Sequence, residues 1–262
     1  MEQSYELTVR EVVPETAEAS SVVLEVPDDL ADVFAYRPGQ FLTIAVPSER
    51  DGVAARCYSL SSSPADGGPL VITIKRTAEG YASNWLLDHL RAGDTLRVLP
   101  PGGIFVPRDL DADLLLFAGG SGITPVLSIA RTALAQGSGR VVLLYANRDE
   151  SSVIFADALD ELARAHPDRF RVLHWLESLQ GVPDAGQLRA LAADHASYDA
   201  FACGPAPFTK VVMTVLKEAG FPRERRHQEK FVSLGGNPFG DLSPADTGAA
   251  AALGQGQGAA SA

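Results

Sequence analysis

The chain has 262 residues, 46% hydrophobic and 21% charged, enough apolar material for two buried cores. Its 33 Asp and Glu outweigh 22 Lys and Arg, for a net charge of −11; this excludes a nucleic-acid binder, which needs phosphate-neutralising cations, and argues against an anionic membrane surface. With no leader pattern in MEQSYELTVR, no apolar run near membrane-spanning length, two cysteines without a C-x-x-C and five scattered histidines, the expectation is a cytoplasmic protein without a metal site.

In chain order, residues 5–13, 21–26, 40–46, 54–60, 70–75 and 95–99 read as short strands, separated by turn clusters such as Arg37-Pro38-Gly39. Apolar alternation is clear at Val22, Leu24 and Val26, at Leu42, Ile44 and Val46, and at Leu70, Ile72 and Ile74. One helix, residues 83–90, interrupts them. Six such strands predict a small antiparallel barrel over residues 1–109. From residue 110 the rhythm changes. A continuous apolar strand at residues 114–118 and further strands at 141–146, 171–176, 200–203 and 226–231 alternate with helices at 125–136, 154–165, 184–195 and 206–219. That pattern predicts a doubly wound five-stranded parallel sheet over residues 110–234. In residues 235–262, 15 of 28 positions are Ala or Gly, and the expectation is a disordered tail.

Four motifs carry chemistry. Arg56-Cys57-Tyr58-Ser59 reads either as an ordinary alternating strand or as a flavin cradle. In the cradle the arginine meets a pyrophosphate, the tyrosine covers the isoalloxazine and the serine meets its edge. Gly80-Tyr81-Ala82-Ser83 opens a helix whose free N–H groups suit a diphosphate, although Ser83 would also serve as a plain N-cap. An arginine and a helix N-terminus together favour FAD over FMN. Gly119-Gly120-Ser121-Gly122-Ile123-Thr124 lies between a buried strand and a helix, the context of a dinucleotide loop, against the alternative of a tight turn. Cys203-Gly204-Pro205 stands at the carboxyl end of the fourth parallel strand, where ligands bind; the alternative is a small buried hydrophobe.

In this order and spacing the motifs resemble the ferredoxin–NADP reductase superfamily, over residues 1 to about 234. The segments 80–86, 145–149, 152–155 and 174–181 are similar to the reductase components of 3-ketosteroid 9α-hydroxylases and of phenylacetyl-CoA oxygenases. The resemblance implies a Greek-key barrel holding FAD and an α/β domain holding the nicotinamide nucleotide. Arg56 would bind the FAD diphosphate, Tyr58 would stack on the flavin and Ser59 would sit near N5. Lys75 and Arg76 would line the ribityl and diphosphate side, and Gly80, Tyr81, Ala82 and Ser83 would supply donors. Gly119 to Thr124 would hold the NAD(P)H pyrophosphate, Cys203 with Gly204 and Pro205 would flank the nicotinamide, and Glu229 would organise it. Phe231 either covers the flavin edge or packs in a final strand.

The steroid and phenylacetyl-CoA reductases that the chain resembles continue into a plant-type ferredoxin domain with four cysteines. No cysteine follows Cys203 here, so the expectation is no iron–sulfur cluster on this chain and a separate ferredoxin or oxygenase component as electron acceptor, with the reductase a monomer. Asn147-Arg148-Asp149 ends the second parallel strand, near the adenine ribose. Arg148 suits the 2′-phosphate of NADPH and Asp149 the free hydroxyl of NADH; the resemblance tips the reading to NADH. Ser59, Cys203 and Glu229 are the expected catalytic pocket. Two alternatives stay open, a free-flavin reductase and a non-catalytic flavin-binding protein.

Overall fold

The computed structural model describes residues 3–48, 52–231 and 237–240. The first part is built from β1 (Tyr5–Thr16), β2 (Ala19–Glu25), β3 (Phe41–Ser48), β4 (Gly52–Ser59), β5 (Leu70–Lys75), α1 (Tyr81–His89) and β6 (Thr95–Val98). The six strands form one antiparallel sheet in the order β4-β3-β6-β1-β2-β5. A bridge between Leu60 and Ile72 joins its two edges, closing the expected Greek-key barrel. Alternation explains the interior: Val22, Leu24, Leu42, Ile44, Val46, Leu70, Ile72 and Ile74 all point inward, and Trp85 and Leu86 of α1 close one end. β1 runs to Thr16, further than its apolar pattern, because register shifts at Val9/Glu11 and Pro14/Thr16 let it stay paired with β2 past a proline.

The second part alternates β7 (Leu114–Gly119), α2 (Ile123–Gln136), β8 (Val141–Asn147), α3 (Ala156–Ala165), β9 (Phe170–Leu176), α4 (Glu177–Gln180), α5 (Ala185–Ala193), β10 (Asp199–Cys203), α6 (Ala206–Glu218) and β11 (Arg226–Glu229). The five strands are parallel, ordered β11-β10-β7-β8-β9. One core lies under α2 and α3, around Ile129, Leu116 and Leu159. The other lies under α5 and α6, around Leu188, Phe117 and Val215. A fully apolar strand such as Leu114–Gly119 is the signature of this two-sided burial.

Several local boundaries differ from the sequence reading. α3 starts at Ala156, not 154, because Asp149 and Ser152 cap each other's backbone and Phe155 adopts φ 63°, which breaks helical continuation. α4 is an addition to the expected elements; the Gln180 side chain accepts from the Leu176 amide at 2.7 Å and folds that segment back on β9. β11 stops at Glu229, so Phe231 lies outside it and is half exposed. Of the tail, most residues lie outside the described ones. Asn237 to Gly240 are described and depart from the expectation of a segment without core. Phe239 is buried against Ala45, Val53, Ala55 and Leu99 on the barrel. The Asn237 side chain fixes its turn, accepting from the Phe239 amide at 3.0 Å and donating to the Gly240 carbonyl at 2.8 Å.

Candidate functional site

The barrel presents its motif from β4. Antiparallel register places Arg56 opposite Ile44, Tyr58 opposite Leu42 and Ser59 opposite Phe41. Arg56 and Tyr58 therefore share one side of the strand, two residues apart. Arg56 donates to the Ala55 carbonyl at 2.8 Å, which leaves the rest of its planar fork for a ligand. Tyr58 packs on the barrel core, and burial raises its phenol far above the ordinary range, so it is a neutral ring. Ser59 is buried.

Gly80 is the N-cap of α1, and Ser83 does not cap the helix in the usual way. Its hydroxyl accepts from the Thr77 amide at 3.3 Å and meets the Gly80 carbonyl at 3.4 Å. A Cβ on Gly80 would meet the Thr77 Cβ at 2.8 Å, so this turn needs glycine. Ala82 is buried beneath it, while the Tyr81 hydroxyl reaches back to the Pro47 carbonyl at 2.8 Å.

The glycine loop of β7 and the loop after β10 interlock through their backbones. A Cβ on Gly122 would lie 2.2 Å from the Cys203 carbonyl oxygen, and one on Gly204, at φ 149°, would lie 2.9 Å from the Gly119 backbone. Gly119 itself faces the Pro205 ring. Gly120 turns at φ 51°, followed by a single 3-10 turn and then α2, whose first residues Ile123 and Thr124 are buried. Thr124 donates to the Ser121 carbonyl at 3.1 Å, tightening that entry.

The two parts meet at this loop. The space beside Gly120 is bounded by the Lys75 ammonium, whose Nζ lies 3.6 Å from where a Gly120 Cβ would be. Burial lowers the Lys75 pKa, with Arg148 nearby acting in the same direction. Lys75 thus stands at the glycine loop, whereas its neighbour Arg76 turns away to Asp88 at 2.7 Å and Asn84 at 3.3 Å on α1. Arg148 follows β8 and pairs with Glu18, from the β1–β2 hairpin, at 2.5 Å.

Cys203 and Glu229 are register partners on β10 and β11. Cys203 is fully buried, and burial followed by the Glu229 carboxylate raises its thiol well above the usual range. Glu229 is pushed up to about 7 by burial, and its Oε2 has no hydrogen-bond partner among the described residues. The same carboxylate contributes to raising the half-buried Cys57, after desolvation. Cys57, two residues before Ser59 on β4, thus feels Glu229, which sets the side of β4 that carries Cys57 and Ser59 within electrostatic reach of the β10–β11 pair. Asn147 is the second orphan: its amide N and O are both buried without a partner among the described residues. Buried polar groups left unpaired cost roughly 1–3 kcal/mol each. These two groups stand at the carboxyl ends of β8 and β11, where a bound ligand could supply the missing partners.

One residue that supports the glycine loop escapes the sequence reading. Tyr145 is fully buried in β8; its hydroxyl donates to the Gly120 carbonyl at 3.2 Å and accepts from the Ile154 amide at 3.2 Å. A tyrosine within an apolar parallel strand is the signal, because a buried phenol needs partners.

Known proteins show the same two-part plan. Residues 5–106 match the Oxidoreductase FAD-binding domain family and residues 116–214 the Oxidoreductase NAD-binding domain family. The chain is 58% identical to the ferredoxin reductase component of the 3-ketosteroid-9-alpha-monooxygenase of Rhodococcus rhodochrous, covering 92% of this chain and 68% of that protein. It is 33% identical to a component of the 1,2-phenylacetyl-CoA epoxidase of Escherichia coli, covering 88% and 68%. Among solved structures, the flavohem-like FAD/NAD binding domain of nitric oxide dioxygenase from Vibrio cholerae superposes with a TM-score of 0.76 at 29% identity, covering 86% of this chain and 98% of that one. Phthalate dioxygenase reductase superposes at 0.70 with 26% identity, covering 86% and 67%. With FAD-binding and NAD-binding parts joined in this order, the chain belongs to the ferredoxin–NADP reductase superfamily and is an NAD(P)H-dependent flavoprotein reductase.

Proposed function

We propose that this reductase draws hydride from NADH and delivers single electrons to a separate ferredoxin-type or oxygenase component, with a 3-ketosteroid hydroxylase the leading candidate. Bound FAD supplies the conversion between a two-electron donor and a one-electron acceptor. The protein's own work is placement. In this reading Arg56 and the amides of Gly80, Tyr81, Ala82 and Ser83 hold the FAD diphosphate, Tyr58 covers the ring and Ser59 meets its edge. Gly119 to Thr124 cradle the NADH pyrophosphate, with Lys75 as its cation. Cys203 and Glu229 border the nicotinamide and keep water out, and a carboxyl at Glu229 can hold a proton at Oε2. Phe231, half exposed beyond β11, is positioned in sequence to cover the flavin edge. Arg76, tied to Asp88, contributes by fixing α1.

The observation that carries the reading is the register pairing of Cys203 with Glu229 beside interlocked glycine loops, with Glu229 within electrostatic reach of Cys57 on the strand that bears Arg56, Tyr58 and Ser59. The preference for NADH is supported by the engagement of Arg148 with Glu18 and by the acidic Asp149 next to it. Only Cys57 and Cys203 are thiols within these 262 residues, fewer than the four of a plant-type cluster, so the electron acceptor lies outside them. Among the described residues no helix is long and apolar enough to cross a membrane.

Anaerobic stopped-flow mixing with NADH tests the reading. Protein carrying FAD is expected to bleach in a single turnover and then to reduce an added [2Fe–2S] ferredoxin. Protein that purifies without flavin, yet consumes NADH only when free flavin is added, would instead be a free-flavin reductase.

A further inference from the structure

We propose that Glu18 is a specificity-determining residue of the nucleotide site, an internal carboxylate that holds Arg148 and so keeps NADPH out. The inference rests on the nucleotide-site reading above and adds a residue from the opposite domain. Arg148 is the cation at the carboxyl end of β8, next to the position where a dinucleotide sheet meets the 2′ group of the adenine ribose. Its backbone is fixed, since its carbonyl accepts from the Ser178 amide at 2.8 Å. The guanidinium could meet a phosphate, but its Nη2 is 2.5 Å from Glu18 Oε2.

Glu18 reaches it from the β1–β2 hairpin of the barrel, and that hairpin is firmly placed. The Glu18 carbonyl accepts from the Arg76 amide at 2.7 Å, and its own amide donates to Thr16 Oγ1 at 3.2 Å. Asp149, the other nearby acid, is occupied with its own turn, accepting from Ser151 and Ser152. Lys75, the remaining cation facing this pair, is beside Gly120.

The pair is about half exposed on both sides, 59% for Arg148 and 46% for Glu18. An exposed ion pair of this kind adds little to stability. Its consequence is at the ligand. A 2′-phosphate arriving at Arg148 must displace a tethered carboxylate and then lie against that negative charge, whereas a 2′-hydroxyl meets no such cost. Discrimination by an uncompensated repulsion is a general route to specificity.

The test is calorimetric binding of 2′,5′-ADP and of 5′-ADP to the FAD-loaded wild type, E18Q, R148Q and the double variant. E18Q is expected to bind 2′,5′-ADP on the order of 10-fold more tightly, the scale of one charge-assisted contact, with 5′-ADP changed less than about twofold. In the R148Q background the E18Q gain should vanish. No gain for E18Q, an equal gain for both probes, or a gain that survives loss of Arg148 would each overturn the proposal. The wild-type kcat/KM ratio for NADH and NADPH is a separate measurement. A preference for NADPH there refutes the NADH reading, while the binding cycle alone decides the role of Glu18.

Discussion

Ser128 Oγ donates a 2.6 Å hydrogen bond to the Ser62 carbonyl, tying helix α2 of the nucleotide part to the loop that follows the flavin strand β4. One helical turn on, Thr132 and Ser63 hydroxyls meet at 2.8 Å, and Thr132 also donates to the Ser128 carbonyl at 2.7 Å. All four side chains are buried. This small polar network sets the angle between the two parts, and thereby the distance from the glycine loop at the head of α2 to Ser59.

Ser128→Ala leaves the Ser62 carbonyl without that donor. A buried acceptor stripped of its partner costs roughly 1–3 kcal/mol, which for a chain of this size lowers Tm by about 2–4 °C per kcal/mol. Release of flavin fluorescence on heating checks the stability change. Because the network positions one part against the other, the NADH-driven reduction rate should also fall, while FAD affinity stays near wild type.

The motif positions are legible in sequence because each depends on a short-range rule. A glycine loop between an apolar strand and a helix, or Gly80 before α1, is set by backbone sterics within a few residues. What stays illegible depends on long-range placement. Nothing local to Lys75 says that it reaches Gly120, nothing local to Glu18 says that it meets Arg148, and Tyr145 looks like core until its hydroxyl is traced to Gly120. Phe239 reads as part of a low-complexity tail because composition averages over the one aromatic that packs.

Gly122 gives the sharpest steric prediction. A methyl group there would sit 2.2 Å from the Cys203 carbonyl oxygen, and backbone cannot move aside cheaply. Gly122→Ala should therefore push the two loops apart at the nicotinamide end. The expected result is FAD content close to wild type with flavin reduction by NADH slowed at least about 10-fold, the effect of roughly 1.4 kcal/mol on the barrier. Stopped-flow absorbance of the flavin band measures it, and an unchanged rate would mean that the loops do not contact the nucleotide.

Glu229 gives a pH prediction whose sign follows from its shift. Burial pushes its carboxyl up from the ordinary carboxylate range to about 7. A folded state that holds a proton more tightly than the unfolded chain loses stability as pH rises from the ordinary carboxylate range through 7. The unliganded protein should therefore show a Tm that declines between pH 5 and 8, roughly over that window. Glu229→Gln, neutral throughout, should flatten this decline and leave a higher Tm than wild type at the alkaline end. The same variant should remove any inflection near neutrality from the pH profile of flavin reduction. A wild-type decline that persists in Glu229→Gln would assign it to another group.

Phe239 closes the last gap between sequence and structure, since its ring covers Ala45, Val53, Ala55 and Leu99 on the outer side of the barrel strands that carry the flavin motif. Ala55 adjoins Arg56, and Thr43 on the same face meets Cys57 at 3.5 Å. Uncovering this patch exposes apolar surface next to the cradle. Phe239→Ala should destabilise the protein by about 3–5 kcal/mol if the ring is as well packed as a core phenylalanine. Truncation after Gly240 should be silent in the same assay, because it keeps the ring and its Asn237 turn, whereas truncation after Phe231 should reproduce the loss. Thermal unfolding with FAD bound, run on the three variants side by side, separates these outcomes. Equal Tm values for Phe239→Ala and wild type would show that the ring adds nothing to the barrel in solution.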